Sequence, residues 1–168
     1  LGVAAEAFAG RFTFKGNMQG VAKGWKCLSH EFADPNVIPV VADSDVIMWS
    51  LGKGLGQDLA YENSLGQSFK LRFVGGLSGS IFQGNVLVSL ENFYKLCPES
   101  SGFRTLLIDA PKAEFEETKK TLVRALSRLG GQVQTCAYRL AKFNGVQNTY
   151  LSIFLALGGL AMILGCAG

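Results

Sequence analysis

The chain closes on a run that strongly limits what it can be. Lys142 is its last charged residue, and from Asn148 onward it reads NTYLSIFLALGGLAMILGCAG. An α-helix needs about 20 predominantly apolar residues to cross a hydrocarbon layer of about 30 Å, and residues 149–168 supply that length. The run has no polar face, whereas a helix lying on the surface of a soluble domain keeps one. Tyr150 would stand at the membrane interface, where a ring with a polar tip is favoured. Gly158, Gly159 and Gly165 suit close helix packing in a bilayer. The competing reading is a helix buried whole in a soluble core. The missing polar face favours the membrane, so residues 143–168 are expected to form the start of a transmembrane helix.

The remainder is ordinary globular material. Mean hydropathy is +0.24 although 17% of residues are charged, and the excess comes from the tail. A chain of 168 residues fits one modest domain with an appendage. Its 16 basic residues exceed the acidic ones by only three and are scattered. The nearest thing to a cluster, Lys119-Lys120 with Arg124 and Arg128, reads as one solvated helix face rather than a nucleic-acid footprint. The four cysteines, Cys27, Cys97, Cys136 and Cys166, include no CxxC pair, so no zinc site is expected. Cys27 and Cys97 could pair in an oxidising compartment; buried free thiols are the simpler reading. The chain starts at Leu1 without a signal-peptide pattern, and is expected to be processed or a piece of something longer.

Along residues 1–36 the pattern is irregular, a lead-in of poor definition in which GRFTFKGN could form a short strand. Residues 37–103 read as β-rich. VIPVVAD is an apolar strand whose Pro39 favours an edge. SDVIMWSLGKGLG predicts a short helix capped by Ser44 or Asp45 and stopped at Gly52, Gly54 and Gly56. DLAYEN and SFKLRFVGGL flank SLGQ as a hairpin, with Phe69, Leu71 and Phe73 on one face and Lys70 and Arg72 on the other. NVLVS predicts another strand and LENFYKLCPES a helix ended before Pro98. Residues 104–142 predict a β-α-β lobe: strand RTLLIDA, a helix with Phe115, Leu122, Leu126 and Leu129 on one stripe, a stop at Gly130-Gly131, and strand QVQTCA. From Tyr138 a helix with Leu140, Phe143, Val146 and Tyr150 at three- and four-residue steps runs into the tail; Gly145 is its one weak point.

Motifs for chemistry are weak. GKGLG lacks the GxxxxGK[ST] form of a phosphate loop and follows a helix instead of a strand, so it reads as a turn. His30 is the only histidine and has no nucleophile elbow near it; a surface side chain is the simpler reading. Glu116-Glu117 reads as solvated charge. In SGSIFQGN, Phe82 either stands exposed, making Ser80, Ile81, Phe82 and Gln83 a partner-contact loop, or tucks into the β-lobe core. No catalytic, cofactor-binding or metal-binding residue is assigned.

PVVADSDVIMWSLGKGLG, FKLRFVGGLSGSIFQGNVLVSLENF, FRTLLIDAP and FNGVQNTYLSIFLALGGLAMILG, in that order, resemble the extracytoplasmic domain of MacB/FtsX-type ABC transporter permeases. The resemblance spans residues 37–168 and departs from the family at Gln57, which follows Gly56 where the family often has Asp. It implies an α+β fold with a β-rich lobe (37–103), a second β-α-β lobe with a connecting helix (104–142) and the start of a transmembrane helix (143–168); the first β-α-β piece and first span would lie outside this chain. It implies a module of the bacterial cytoplasmic membrane, lying on the extracytoplasmic side and coupling ATP-driven helix motion to export or to substrate handling. The coupling helix would carry Leu140, Phe143, Gly145 and Tyr150. Implied partners are a separate ABC ATPase, a second permease copy, membrane lipid, and an extracytoplasmic adaptor or lipoprotein, with no nucleic acid and no cofactor bound by this chain. The alternatives are a membrane-anchored binding or sensing domain outside any transporter, and a soluble hydrolase with a buried C-terminal helix.

Overall fold

The computed structural model describes the backbone of residues 1–166, and their side chains except at 144, 146, 147, 159–161 and 163–166. It mixes helices and sheets in an α+β arrangement and divides into two compact units, Leu1–Phe103 and Arg104–Gly168.

The first unit is organised around β5 (Ser68–Leu77), whose early residues alternate and whose last five are all buried. β4 (Asp58–Glu62) pairs antiparallel with its first half. β2 (Phe14–Asn17) pairs antiparallel with its end, and β3 (Val37–Asp43) runs parallel to it. The β4–β5 hairpin closes because the Asn63 side-chain oxygen accepts from the amides of Leu65 and Gln67 at 3.1 and 2.9 Å, while Gly66 takes a φ of 75°. β3 ends the sheet, which suits Pro39; beyond it only Val41 bridges to Leu87. Every residue of β3 is buried, so both its faces are covered. On one face Ile38, Val40 and Ala42 meet Leu71, Phe73, Ile47, Val88 and Leu96. Two glycines let the partners of β5 come close: a Cβ on Gly75 would sit 2.8 Å from the Phe14 ring, and one on Gly76 would strike the Ser44 hydroxyl.

Residues 1–36 are part of this unit rather than an undefined lead-in. β1 (Gly2–Val3) pairs parallel with β6 (Val88–Ser89), β2 joins the main sheet, and a 3₁₀ turn over Gly24–Ser29 buries Trp25, Cys27 and Leu28. The partners of these short elements lie 50 to 90 residues away in the sequence, out of reach of any local pattern. α1 (Leu90–Leu96) starts where the Ser89 hydroxyl accepts from the Asn92 amide at 3.3 Å.

The second unit corrects the expected β-α-β lobe. Its central helix is present as α2 (Phe115–Ser127), preceded by a 3₁₀ turn at Lys112–Glu114, and Gly130, at a φ of 70°, helps end it. Neither flanking stretch is a strand: residues 104–110 and 131–135 have no ladder partner among the described residues. A β-strand exists only with a neighbour to take up its N–H and C=O groups, and alternation alone does not provide one. Cys136 and Ala137 go instead into α3 (Cys136–Cys166), where the Thr135 hydroxyl accepts from the Tyr138 amide at 3.0 Å as an N-cap. α3 has 31 residues, a length of about 46 Å, and passes through Gly145 without a break. Tyr150, Leu151, Ile153, Phe154, Leu155, Leu157 and Met162 are all exposed along it. Among the described residues no helix is long and apolar enough to cross a membrane; positions 167 and 168 of the expected span lie outside the described residues.

Candidate functional site

The expected contact loop is not an exposed loop. Ser80, Ile81 and Phe82 are 4, 7 and 7% exposed, and Gln83 is half-buried. Phe82 packs at 5.2 Å from the ring of Phe12 and 5.9 Å from that of Phe8, and both of those rings touch Trp25. The indole N–H of Trp25 donates to the Arg11 carbonyl at 2.9 Å. Phe12 reaches this cluster with a φ of 65°, a strained backbone for a bulky residue, held by the surrounding rings. Below it Asp43, 3% exposed, accepts from the Ser80 amide at 3.0 Å and the Ser80 hydroxyl at 2.7 Å. The Ser80 oxygen accepts in turn from the Phe82 amide at 3.1 Å. Phe82 therefore takes the core position, because residues 8, 12 and 25 supply ring partners, and Ser80 serves to satisfy a buried carboxylate.

The most exposed aromatic of this unit is Trp49, ahead of Phe103 at its end and of Tyr94 and Tyr61. Residues Val46–Ser50 form a π-helical turn, a geometry often found where side chains must be aimed for a purpose. Ile47 points into the core at 3% exposure, while Met48 and Trp49 stand out at 55 and 80%. The turn is fixed: the Leu51 amide donates to Val46, the Lys53 amide to Ile47 and the Gly56 amide to Phe73. Gly52 takes a φ of 60° just after it, so GKGLG is a helix stop and turn, with the Gly54 amide held by the Gln57 side chain. Neither expected cap closes the turn by its side chain; Asp45 lies 3.5 Å from Lys15 instead. The sequence reading missed Trp49. The one available signal was two adjacent large apolar residues, Met48 and Trp49, of which a short amphipathic turn anchored by Ile47 can bury neither.

Charge gathers on the β4–β5 pair. Arg72 donates to both oxygens of Asp58 at 2.7 and 2.8 Å, and its guanidinium lies 4.8 Å from the Phe32 ring. The Arg72 hydrogen bonds, with Lys70 and Lys53 nearby, hold the Asp58 carboxyl below its ordinary range. His30 packs edge-on to Phe32 at 4.7 Å. On the second unit, Glu116 and Glu117 occupy the first turn of α2, where acidic charge favours the helix dipole. Leu140 and Phe143 are half-buried on α3, and Gly145 and Tyr150 are exposed. The Thr149 hydroxyl donates to the Gly145 carbonyl at 2.9 Å. Among the described residues no group of three potential metal ligands comes together.

No protein-family model, curated protein or solved structure matches this chain. The geometry therefore stands alone as a guide. It leaves large apolar side chains exposed at the Met48–Trp49 turn, at Phe103, Leu106, Leu107 and Ile108, at Leu129 and along α3.

Proposed function

We propose that this chain is the extracytoplasmic domain of a MacB/FtsX-type ABC transporter permease, with α3 leading into the membrane. The observation that carries the reading is α3 itself: a continuous helix of 31 residues with no charge after Lys142 and with Leu151, Ile153, Phe154, Leu155, Leu157 and Met162 exposed. An apolar surface of that extent needs lipid or protein to cover it. In this reading the ATP is hydrolysed by a separate subunit across the cytoplasmic membrane, and a second permease copy completes the transporter. α3 relays the displacement because its hydrogen-bonded turns are stiff where a flexible linker would absorb it. The chain does mechanical work for export or for an adaptor or lipoprotein partner, and performs no chemistry of its own.

Detergent phase separation tests this. The full chain is expected in the detergent phase and residues 1–142 in the aqueous phase. Equal partitioning of the two would refute the membrane reading.

A further inference from the structure

The segment between β1 and β2, residues 4–12, is fixed at both ends and lightly held between them. Val3 is buried in its pairing with β6, and the Thr13 carbonyl accepts from the Ser78 amide at 2.9 Å. No residue from Ala4 to Thr13 is buried. The amides of Ala7, Ala9 and Arg11 donate to the carbonyls of Ala4, Glu6 and Phe8 at 3.0, 3.2 and 2.9 Å. These bonds are internal to the segment and travel with it. It meets the body through Phe8 and Phe12, whose rings lie 5.0 and 5.7 Å from that of Trp25 and 5.9 and 5.2 Å from that of Phe82. The Arg11 carbonyl adds the hydrogen bond from the Trp25 indole. Trp25 and Phe82 beneath are both buried. Phe14, 5.3 Å from Trp25, belongs to β2 and stays with the sheet.

We propose that residues 4–12 are a sprung lid over the Trp25–Phe82 aromatic face: the segment swings away as one piece about Ala4 and Thr13 while β1 and β2 stay paired. The spring is Phe12. Its φ of 65° crowds the Cβ against the following carbonyl, a cost that glycine escapes, and opening lets the backbone relax to negative φ. Gly10 makes its own turn, at a φ of 73°, without that cost. Closure thus sets ring contacts and the indole hydrogen bond against a strained backbone, an arrangement concentrated at switch regions. Segments held this lightly open locally, below the free energy of global unfolding. Opening bares two large rings beside the Asp43–Ser80 pair, an apolar surface that the closed protein hides. The lid belongs to the first unit and does not depend on what covers α3.

Trp49→Phe in the full chain leaves Trp25 as the single tryptophan. With that chain held in phosphatidylcholine nanodiscs, hydrogen exchange of the Trp25 indole N–H, followed by NMR, reads the lid. Thiol labelling of Cys27, resolved by mass spectrometry, reads the unit, because Cys27 lies in the same 3₁₀ turn and is fully buried. The opening constant at Trp25 is expected to exceed that at Cys27 by about tenfold or more. It should also stay nearly flat at low urea, since the lid exposes little surface, while the Cys27 constant climbs steeply. Phe12→Ala removes the ring and keeps the strain, whereas Phe12→Gly removes both. Opening at Trp25 should therefore rise several-fold more in Phe12→Ala than in Phe12→Gly. Equal constants and equal urea slopes at Trp25 and Cys27 overturn the lid, whether or not the Phe12 variants fold. Equal opening in the two variants removes the spring. Loss of the folded unit in both would make Phe12 a part of the core and overturn the proposal as well.

Discussion

Ser80→Ala tests the one buried charge of the first unit. Asp43 receives two hydrogen bonds there, both from Ser80, and the Ser80 oxygen also takes up the Phe82 amide. The substitution deletes the hydroxyl donor to a carboxylate, a bond that contributes about 1.5–3 kcal/mol, and leaves a buried amide without its acceptor at a cost of about 1–3 kcal/mol. Water entering beside the missing oxygen offsets part of this, so a loss on the order of 3 kcal/mol is expected. For a unit of this size each kcal/mol lowers Tm by about 4–8 °C, which places the drop at roughly 10–25 °C. Both tryptophans lie in the first unit, so their fluorescence in a urea titration follows that unit alone. A double-mutant cycle with Asp43→Ala separates the pair from its surroundings, and a coupling of at least about 1.5 kcal/mol is expected for residues in direct contact. Additivity within about 0.5 kcal/mol would show that the burial of Ile81 and Phe82 alone holds this segment and that the hydrogen-bonded pair stabilises nothing.

Burial pushes the Cys27 thiol up from 9.0 to about 11. The folded state therefore favours the neutral thiol; the resulting stability is complete below pH 9 and is lost as the pH rises from about 9 toward 11. Cys27→Ala should flatten the alkaline limb of a stability–pH curve, and an unchanged limb would place its cause elsewhere. At pH 8 a thiol reagent followed by mass spectrometry should modify exposed Cys136 and leave Cys27 untouched until the unit unfolds. On α3, Gly145→Ala should be tolerated, because alanine exceeds glycine in helix propensity by about 1 kcal/mol and nothing lies within 4 Å of the added carbon. A flexible Gly-Ser insertion at the same place in a complete transporter should leave ATP hydrolysis intact and depress transport; normal transport with a folded domain would end the idea of rigid coupling.

What could be read beforehand was whatever the chain encodes locally. The β4–β5 hairpin follows from alternation through Phe69, Leu71 and Phe73 with a Gly66 turn between the strands. α1 follows from the LENFYKL stretch that stops before Pro98, and α2 from its stripe and the Gly130 stop. What escaped depends on distant partners. β1 and β2 carry few residues of their own and exist through pairing with residues 88–89 and 75–77. Phe82 looked equally suited to solvent or core until Phe8 and Phe12 were placed beside it. The strands expected at 104–110 and 132–137 failed for the same reason in reverse: Leu106 and Ile108 have the pattern of a strand and no neighbour to make one. Trp49 was missed because exposure is a property of the finished surface, and a helical pattern with one buried residue does not say which way the others face.

The pairing of β2 with the far end of β5 also sets a timetable. A ribosome makes Phe14 long before it makes Leu77, the residue opposite it in the sheet. At synthesis rates of about 5–20 residues per second, Phe8, Phe12, Phe14 and Trp25 wait on the order of several seconds before β5 and Phe82 emerge to cover them. The local β4–β5 hairpin can close as soon as it is made, and the parallel β3 already lies upstream to join it, whereas β2 has no partner until the end of β5 is made. During translation these four rings thus stay uncovered until β5 and Phe82 follow them.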